Sequence, residues 1–234
     1  MGAASGSAGA VGASSPGALP RDVVLYGYWR SSASWRVRIG LNLKGVPYRT
    51  QPVHLVNHGG EQRSEAHAAR NPLKQVPVLE AHTGSGPIQL TQSIAILAWL
   101  DAVLPDPPLI PADPVLRARA FQLAEVVNSG IQPLQNLSLL QALEAMGQDK
   151  LAWGRTVIGS GLDALEQLAA PVAGRFLVGD AVSLADLCLI PQLYNARRFG
   201  VALDAMPTLL RVEEACNAIP AFAEAHPSRQ PDAT

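Results

Sequence analysis

An excess of charge of either sign is missing from this sequence. Its 234 residues carry 18 Lys and Arg against 19 Asp and Glu, a formal net charge of -1, whereas a nucleic-acid binder would show a basic excess on some face. Long apolar runs are missing too. None approaches the ~20 residues that span a bilayer, so the chain is expected to be soluble and to make no use of a membrane. Cysteine is scarce: only Cys188 and Cys216 occur, with no C-x-x-C pair and no metal-ligand spacing. Their surroundings, "ADLCLIPQL" and "EEACNAIPAF", are apolar and helix-like, which predicts buried small hydrophobes and fits a reducing cytoplasm.

Familiar catalytic signatures are also absent. There is no G-x-x-x-x-G-K, no G-x-G-x-x-G after a strand, no G-x-S-x-G and no H-E-x-x-H, which removes the common nucleotide, hydrolase and zincin readings. His54 and His58 stand beside Gly59-Gly60; with no third ligand near in sequence they read as a loop rather than a metal site. Residues 1–20 carry no charged side chain. Without a basic n-region or an unbroken apolar core, they read as a disordered leader and not a secretory signal.

What is present is an ordinary globular composition, 48% hydrophobic and 16% charged, at a length that suits two domains better than one. "DVVLYGY" at 22–28 is β-branched and aromatic, a strand. Residues 33–44 are ambiguous. Trp35, Val37, Ile39, Leu41 and Leu43 alternate with polar residues and glycine, a strand period, while the serines before them and Lys44-Gly45 after them are helix-boundary signals. A strand at 47–55, a polar helix at 61–70, a brief strand at 87–90 and an amphipathic helix at 92–104 follow. Pro77, inside the apolar run 75–81, lacks the N–H a central strand needs, so it implies an edge, a bulge or a tight turn.

Prolines at 105, 107, 108, 111 and 114 can neither continue a helix nor fill a sheet, so 105–114 reads as a linker. Beyond it Asp113 caps and Pro114 opens a helix, and 139–146, 150–169, 183–199 and 207–224 read as helices as well. Ser183 and Asp186 have capping-box spacing, with Val182 and Leu187 as the flanking staple. The first half is mixed β/α and the second all-helical.

The chemistry centres on "YWRSSASWRVRIGLNLKG". Ser31 or Ser32 can cap a helix, contributing ~1 kcal/mol, act as a nucleophile, or hold an anion together with free amides at a helix N-terminus, near Arg30 and Arg36. Spacing nominates no histidine base for the second role, and the third uses the first.

Together with "NPLKQVPVLE", "QSIAI", "SGIQPLQNLSLL" and "VSLADLCLIPQLYNARRF", this stretch resembles the zeta-class glutathione transferases, the maleylacetoacetate isomerases. The similarity runs from about residue 22 to "HPSRQPD". It implies a thioredoxin-like N-terminal domain over 21–104 and an all-helical glutathione transferase C-terminal domain over 115–234, resolves 33–44 as helix, and makes Val76-Pro77 a cis bond. Glutathione is the implied cofactor, with Ser31 at its sulfur, Ser32 and residue 33 beside it, and Val76 meeting its cysteinyl moiety. The resemblance further assigns Gln62 to the tripeptide, Gln92 and Ser93 to its γ-glutamyl end, and Gln132, Asn136, Leu137 and Ser138 to the same cleft from the second domain. Arg198, with Arg30 as a second candidate, would clamp a carboxylate of a small diacid. A homodimer is implied as well.

The implied reaction is glutathione-dependent cis–trans isomerisation of maleylacetoacetate or maleylpyruvate in aromatic catabolism. One alternative uses the same thiolate to conjugate or dehalogenate small α-halo acids; another, of a different class, is a non-catalytic interaction protein on the same fold. One position departs from the class. Its motif usually reads Ser-Ser-Cys, and here Ala33 takes the place of the cysteine. Bringing a thiol from pKa ~8.5 to ~7 takes about 2 kcal/mol. A hydroxyl bond to a charged group supplies ~1.5–3 kcal/mol and a helix N-terminus ~0.3–1 kcal/mol, so activity is expected without it.

Overall fold

The structure is a computed structural model describing residues 19–233; the leader read at 1–20 lies outside them except for its last two residues. Strand β1 (Arg21–Gly27) pairs in parallel with β2 (Arg49–Pro52) and antiparallel with β3 (Val78–Thr83), which pairs antiparallel with β4 (Gly86–Thr91). The sheet order is β2-β1-β3-β4. Strand β2 is shorter than the 47–55 read from the pattern and ends with Pro52, which pairs with Gly27. The apolar run around Pro77 resolves as a turn followed by an interior strand: Val76-Pro77 is cis, and β3 begins at the next residue, so no ladder donor is lost.

Helix α1 (Ser32–Leu43) explains its own misleading period. Val37 and Leu41, four apart, pack into the sheet's core with Val23, Leu25 and Leu79. Trp35 and Ile39, also four apart, pack into the core of the helical half, with Leu43 against it. Residues two apart on a helix point about 200° apart, so a helix buried on two opposite flanks reads as an alternating strand. Gly40 permits the close crossing with α3 (Ser93–Val103): a Cβ there would lie 2.3 Å from Leu97 Cδ2. The segment read as one helix at 61–70 divides, because Ser64 accepts from His67 N at 3.3 Å and starts α2 (Glu65–Arg70) afresh after a 3₁₀ turn.

The second half is helical: α4 (Pro114–Glu125), α5 (Leu137–Ala145), α6 (Lys150–Ala169), α7 (Leu184–Phe199), α8 (Pro207–Asn217) and α9 (Pro220–Glu224). Asp113 and Pro114 open α4 as expected. The helix read over 207–224 is broken at Pro220, which has no N–H to continue it and instead opens α9. Between α4 and α5 the chain forms a π-helical segment (Val126–Ile131) and a 3₁₀ turn (Gln132–Gln135) that no sequence period announced. Ser183 and Asp186 form the capping box, and Asp186 does more than cap. Its Oδ1 accepts from Leu177 N and its Oδ2 from Ser183 N, both at 2.8 Å. Burial pushes this carboxyl up to about 6, against the pull of those donors. Cys188 and Cys216 are buried free cysteines.

Lys44, at the end of α1, ties the proline-rich segment to the sheet domain. Its side chain is fully buried, with Nζ 2.7 Å from Asp101 Oδ1 and further bonds to the Leu104 and Pro107 carbonyls. Asp101 in turn accepts from Leu109 N and Ile110 N. Asp101→Ala would leave a buried ammonium without its counter-charge and two amides without an acceptor. Urea denaturation should show a loss of about 3–5 kcal/mol; a loss under about 1 kcal/mol would mean that the pair is incidental to stability.

Candidate active site

Between the sheet domain and the helices lies a cleft of about 480 Å³, and it begins at the N-terminus of α1. Ser31 is the N-cap. Its Oγ accepts from Ser34 N at 3.2 Å, its carbonyl accepts from Trp35 N, and its own amide donates to Tyr28 O. A hydroxyl has one hydrogen and two lone pairs, so accepting at the cap leaves the hydrogen available to the cleft. The first amides of α1, at Ser32 and residue 33, have no intrahelical acceptor. The loop before the cap is held at both ends of one residue: Trp29 N donates to Asp232 Oδ2 at 2.9 Å, and Trp29 O accepts from Arg38 Nη2 at 2.9 Å. Burial lowers Arg38 to about 10.

The structure brings all the sequence-predicted site residues to this one cleft. Ser31, Ser32 and Ala33 lie at the α1 terminus, with Arg30 just before them. Gln62 is buried on the neighbouring wall, where its Nε2 reaches Leu55 O and its Oε1 finds no partner among the described residues. Val76 lies in the turn before β3; His67 Nε2 and Asn71 Nδ2, each 2.9 Å from Gln75 O, fix that turn. Gln92 caps α3 with φ 68 and ψ 114, a conformation rare for a residue with a Cβ, and Ser93 follows it, buried.

From the helical half, Gln132, Asn136, Leu137 and Ser138 line the opposite wall. Asn136 is also the N-cap of α5, its Oδ1 accepting from Ser138 N. Gln135 and Gln192 exchange amide hydrogen bonds of 2.6 and 3.3 Å and hold that turn against α7. Arg198, near the end of α7, donates to Asn195 Oδ1 at 3.2 Å. Burial lowers its pKa, and so does the like charge of Arg30. The adjacent Arg197 points elsewhere, into a bidentate pair with Glu213.

One property of the lining was not legible from motifs. Among the described residues the cleft is lined by five cations, Arg30, Arg36, Arg63, Lys74 and Arg198, and by no aspartate or glutamate. A chain with a net charge of -1 has gathered positive charge at one place, which suits an anionic ligand. Sequence reasoning also missed Asn128, which sits on the unannounced π-helical segment and bonds Arg36 Nη1 at 2.7 Å.

A strand-helix sheet domain followed by a helical bundle, with a cationic cleft between them, is the architecture of the glutathione S-transferases. The N-terminal domain model of that family matches residues 30–103 and the C-terminal domain model residues 135–222. Maleylacetoacetate isomerase of Rattus norvegicus is 47% identical over 210 residues, covering 89% of this chain and 94% of its own. The chain belongs to the zeta-class, maleylacetoacetate isomerase family. Maleylacetoacetate isomerase of Anaeromyxobacter dehalogenans 2CP-1 has been solved with glutathione bound in its active site; it is 51% identical, with TM-score 0.84, covering 91% of this chain and 98% of that one. A further structure of that enzyme holds dicarboxyethyl glutathione and citrate. A bacterial maleylpyruvate isomerase of the zeta class, in its holo form, is 43% identical with TM-score 0.84, covering 90% of this chain and all of that one.

The geometry at residue 33 can be tested without any ligand. Burial raises the thiol pKa of both native cysteines, so the folded protein should be nearly inert to a disulfide reagent such as dithionitrobenzoate. Ala33→Cys should add one fast-reacting thiol, titrating below the ordinary ~8.5 because it sits at a helix N-terminus among cations. A variant as inert as the parent would place residue 33 outside the accessible cleft.

Proposed function

We propose that the protein catalyses glutathione-dependent cis–trans isomerisation of a maleyl diacid, maleylacetoacetate or maleylpyruvate. The observation that carries this reading is the helix-capping Ser31 hydroxyl, its hydrogen free to donate, at the start of a cleft lined among the described residues by five cations and no acids. The residues present suit glutathione, an anionic tripeptide: the cleft walls offer hydroxyls, amides and carboxamides, and the buried Gln62 Oε1 lacks a partner among the described residues. Bound glutathione supplies a thiolate that adds to the cis double bond; rotation about the resulting single bond and elimination release the trans product and return the thiol.

The chain's own residues divide the work. Ser31 donates to the sulfur and, with the amides that follow, favours its anionic form, while Val76, Gln62, Gln92 and Ser93 hold the tripeptide. Gln132, Asn136, Leu137 and Ser138 border it from the helical side. Arg198, held by Asn195, and Arg30 receive the substrate's carboxylates. The like charge that Arg198 feels from Arg30 is relieved when an anion binds beside it. Residues 21–104 thus supply most of the glutathione contacts and 115–234 close the cleft and bring Arg198 to the diacid, with 105–114 joining them. The reading extends to a homodimer in a reducing cytoplasm, supported by the class and by two buried, unpaired cysteines.

Maleylacetoacetate should disappear in the presence of glutathione while total thiol stays constant; stoichiometric thiol consumption would instead mean conjugation or dehalogenation. Comparing kcat/KM for maleylacetoacetate and maleylpyruvate identifies the preferred acid. Ser31→Ala should lower turnover at least about tenfold, the equivalent of ~1.4 kcal/mol, and wild-type turnover would reduce Ser31 to a cap. Ala33→Cys should change turnover little, since Ser31 and the helix already supply the required stabilisation.

A further inference from the structure

The cleft floor holds a cation to which that reading gives no task. Arg36, one turn after Ser32 on α1, is 1% exposed and lines the cleft. Its Nη1 donates to Ser93 Oγ at 3.3 Å and to Asn128 Oδ1 at 2.7 Å, while its buried Nε and Nη2 meet no acceptor among the described residues. Among those residues no carboxylate forms an ion pair with it. The Glu125 carboxylate reaches Asn128 Nδ2 instead, at 3.2 and 3.4 Å, which turns the Asn128 oxygen toward the guanidinium. Arg38, equally buried, is the contrast: its Nε and Nη2 both donate to carbonyls, those of Ala225 and Trp29. A buried guanidinium with two nitrogens unmatched is strongly unfavourable unless an anion compensates it.

The bond to Ser93 also fixes a direction. Because Ser93 Oγ accepts from Arg36, its own hydrogen is left to donate, and Ser93 is a lining residue at the N-terminus of α3. We propose that Arg36 is a positioning residue for the γ-glutamyl carboxylate of glutathione, holding Ser93 as a donor into the cleft and supplying the buried charge that this carboxylate answers. The role rests on the glutathione reading of the site. It also spans the two halves of the molecule, since Asn128 belongs to the π-helical segment of the helical half and Ser93 to the sheet domain.

The test is a double-mutant cycle on the full chain, with glutathione affinity read by calorimetry and steady-state kinetics. Arg36→Met and Ser93→Ala should each weaken glutathione binding about ten- to a hundredfold, as for a lost hydrogen bond to a charged group. The double variant should lose less than the product of the two single losses, because the two residues act through one contact. The Arg36→Met defect should fall on KM for glutathione more than on kcat, and Arg36→Lys, which keeps the charge, should recover affinity at least about threefold. Should Arg36→Met not fold, Arg36→Lys carries the same cycle with Ser93→Ala. Multiplying losses, a defect confined to kcat, or unchanged affinity would overturn the role while leaving the glutathione site standing. A parent protein that does not bind glutathione would overturn both.

Discussion

Helix α1 has to be buried on two sides at once, and most of the molecule is arranged around that requirement. Val37 and Leu41 fill the sheet's core and Trp35 and Ile39 the helical core, so one helix is the shared wall of both halves. A wall of this kind has no freedom to tilt, which fixes its N-terminus in space. That terminus is where Ser31 caps and the cleft opens. The arrangement also forces two arginines of the same helix out of water, both 1% exposed, and each then needs partners from distant parts of the chain. Arg38 finds them in the Trp29 and Ala225 carbonyls, pinning the loop before Ser31 and the C-terminal segment together. Arg36, which lines the cleft, finds acceptors for only one of its three guanidinium nitrogens among the described residues.

Much of the fold was legible because caps and prolines act locally. Asp113-Pro114, Ser183 with Asp186 and the proline-rich 105–114 segment mark boundaries by chemistry that needs no knowledge of tertiary structure. The period of residues 33–44 was misleading for a tertiary reason: alternation is a strand signal only when a segment has one buried face, and α1 has two. Pro77 was correctly excluded from a strand interior, but whether it sat at an edge or in a turn depended on what lay before β3. The π-helical segment at Val126–Ile131 could not be read at all, because its insertion shifts a helical register without altering composition.

The site divides in the same way. Ser31, Ser32, Gln92 and Ser93 sit at helix starts, where sequence signals are strongest, and their convergence on one cleft followed from the fold. The absence of acids from the lining, among the described residues, could not be read in advance. Arg63, Lys74 and Arg198 come from separate turns and helices, and a balanced overall composition concealed their grouping. Asn128 was hidden for the same reason as the π-helical segment that carries it.

The cap residues of three helices, Ser31 of α1, Gln92 of α3 and Asn136 of α5, all line the cleft. Each N-terminus presents unpaired amides and a partial positive charge, worth ~0.3–1 kcal/mol to a nearby anion. Stabilisation of negative charge is therefore spread over three helix ends, five cationic side chains and the hydroxyls of Ser31 and Ser93, in a lining free of competing carboxylates among the described residues. A site built this way does not hang on any single weak donor. A cysteine S–H at position 33 would add a small increment to a field already assembled from stronger terms. The methyl group of Ala33 removes that increment and leaves the amide of residue 33, which belongs to the backbone of α1, in place.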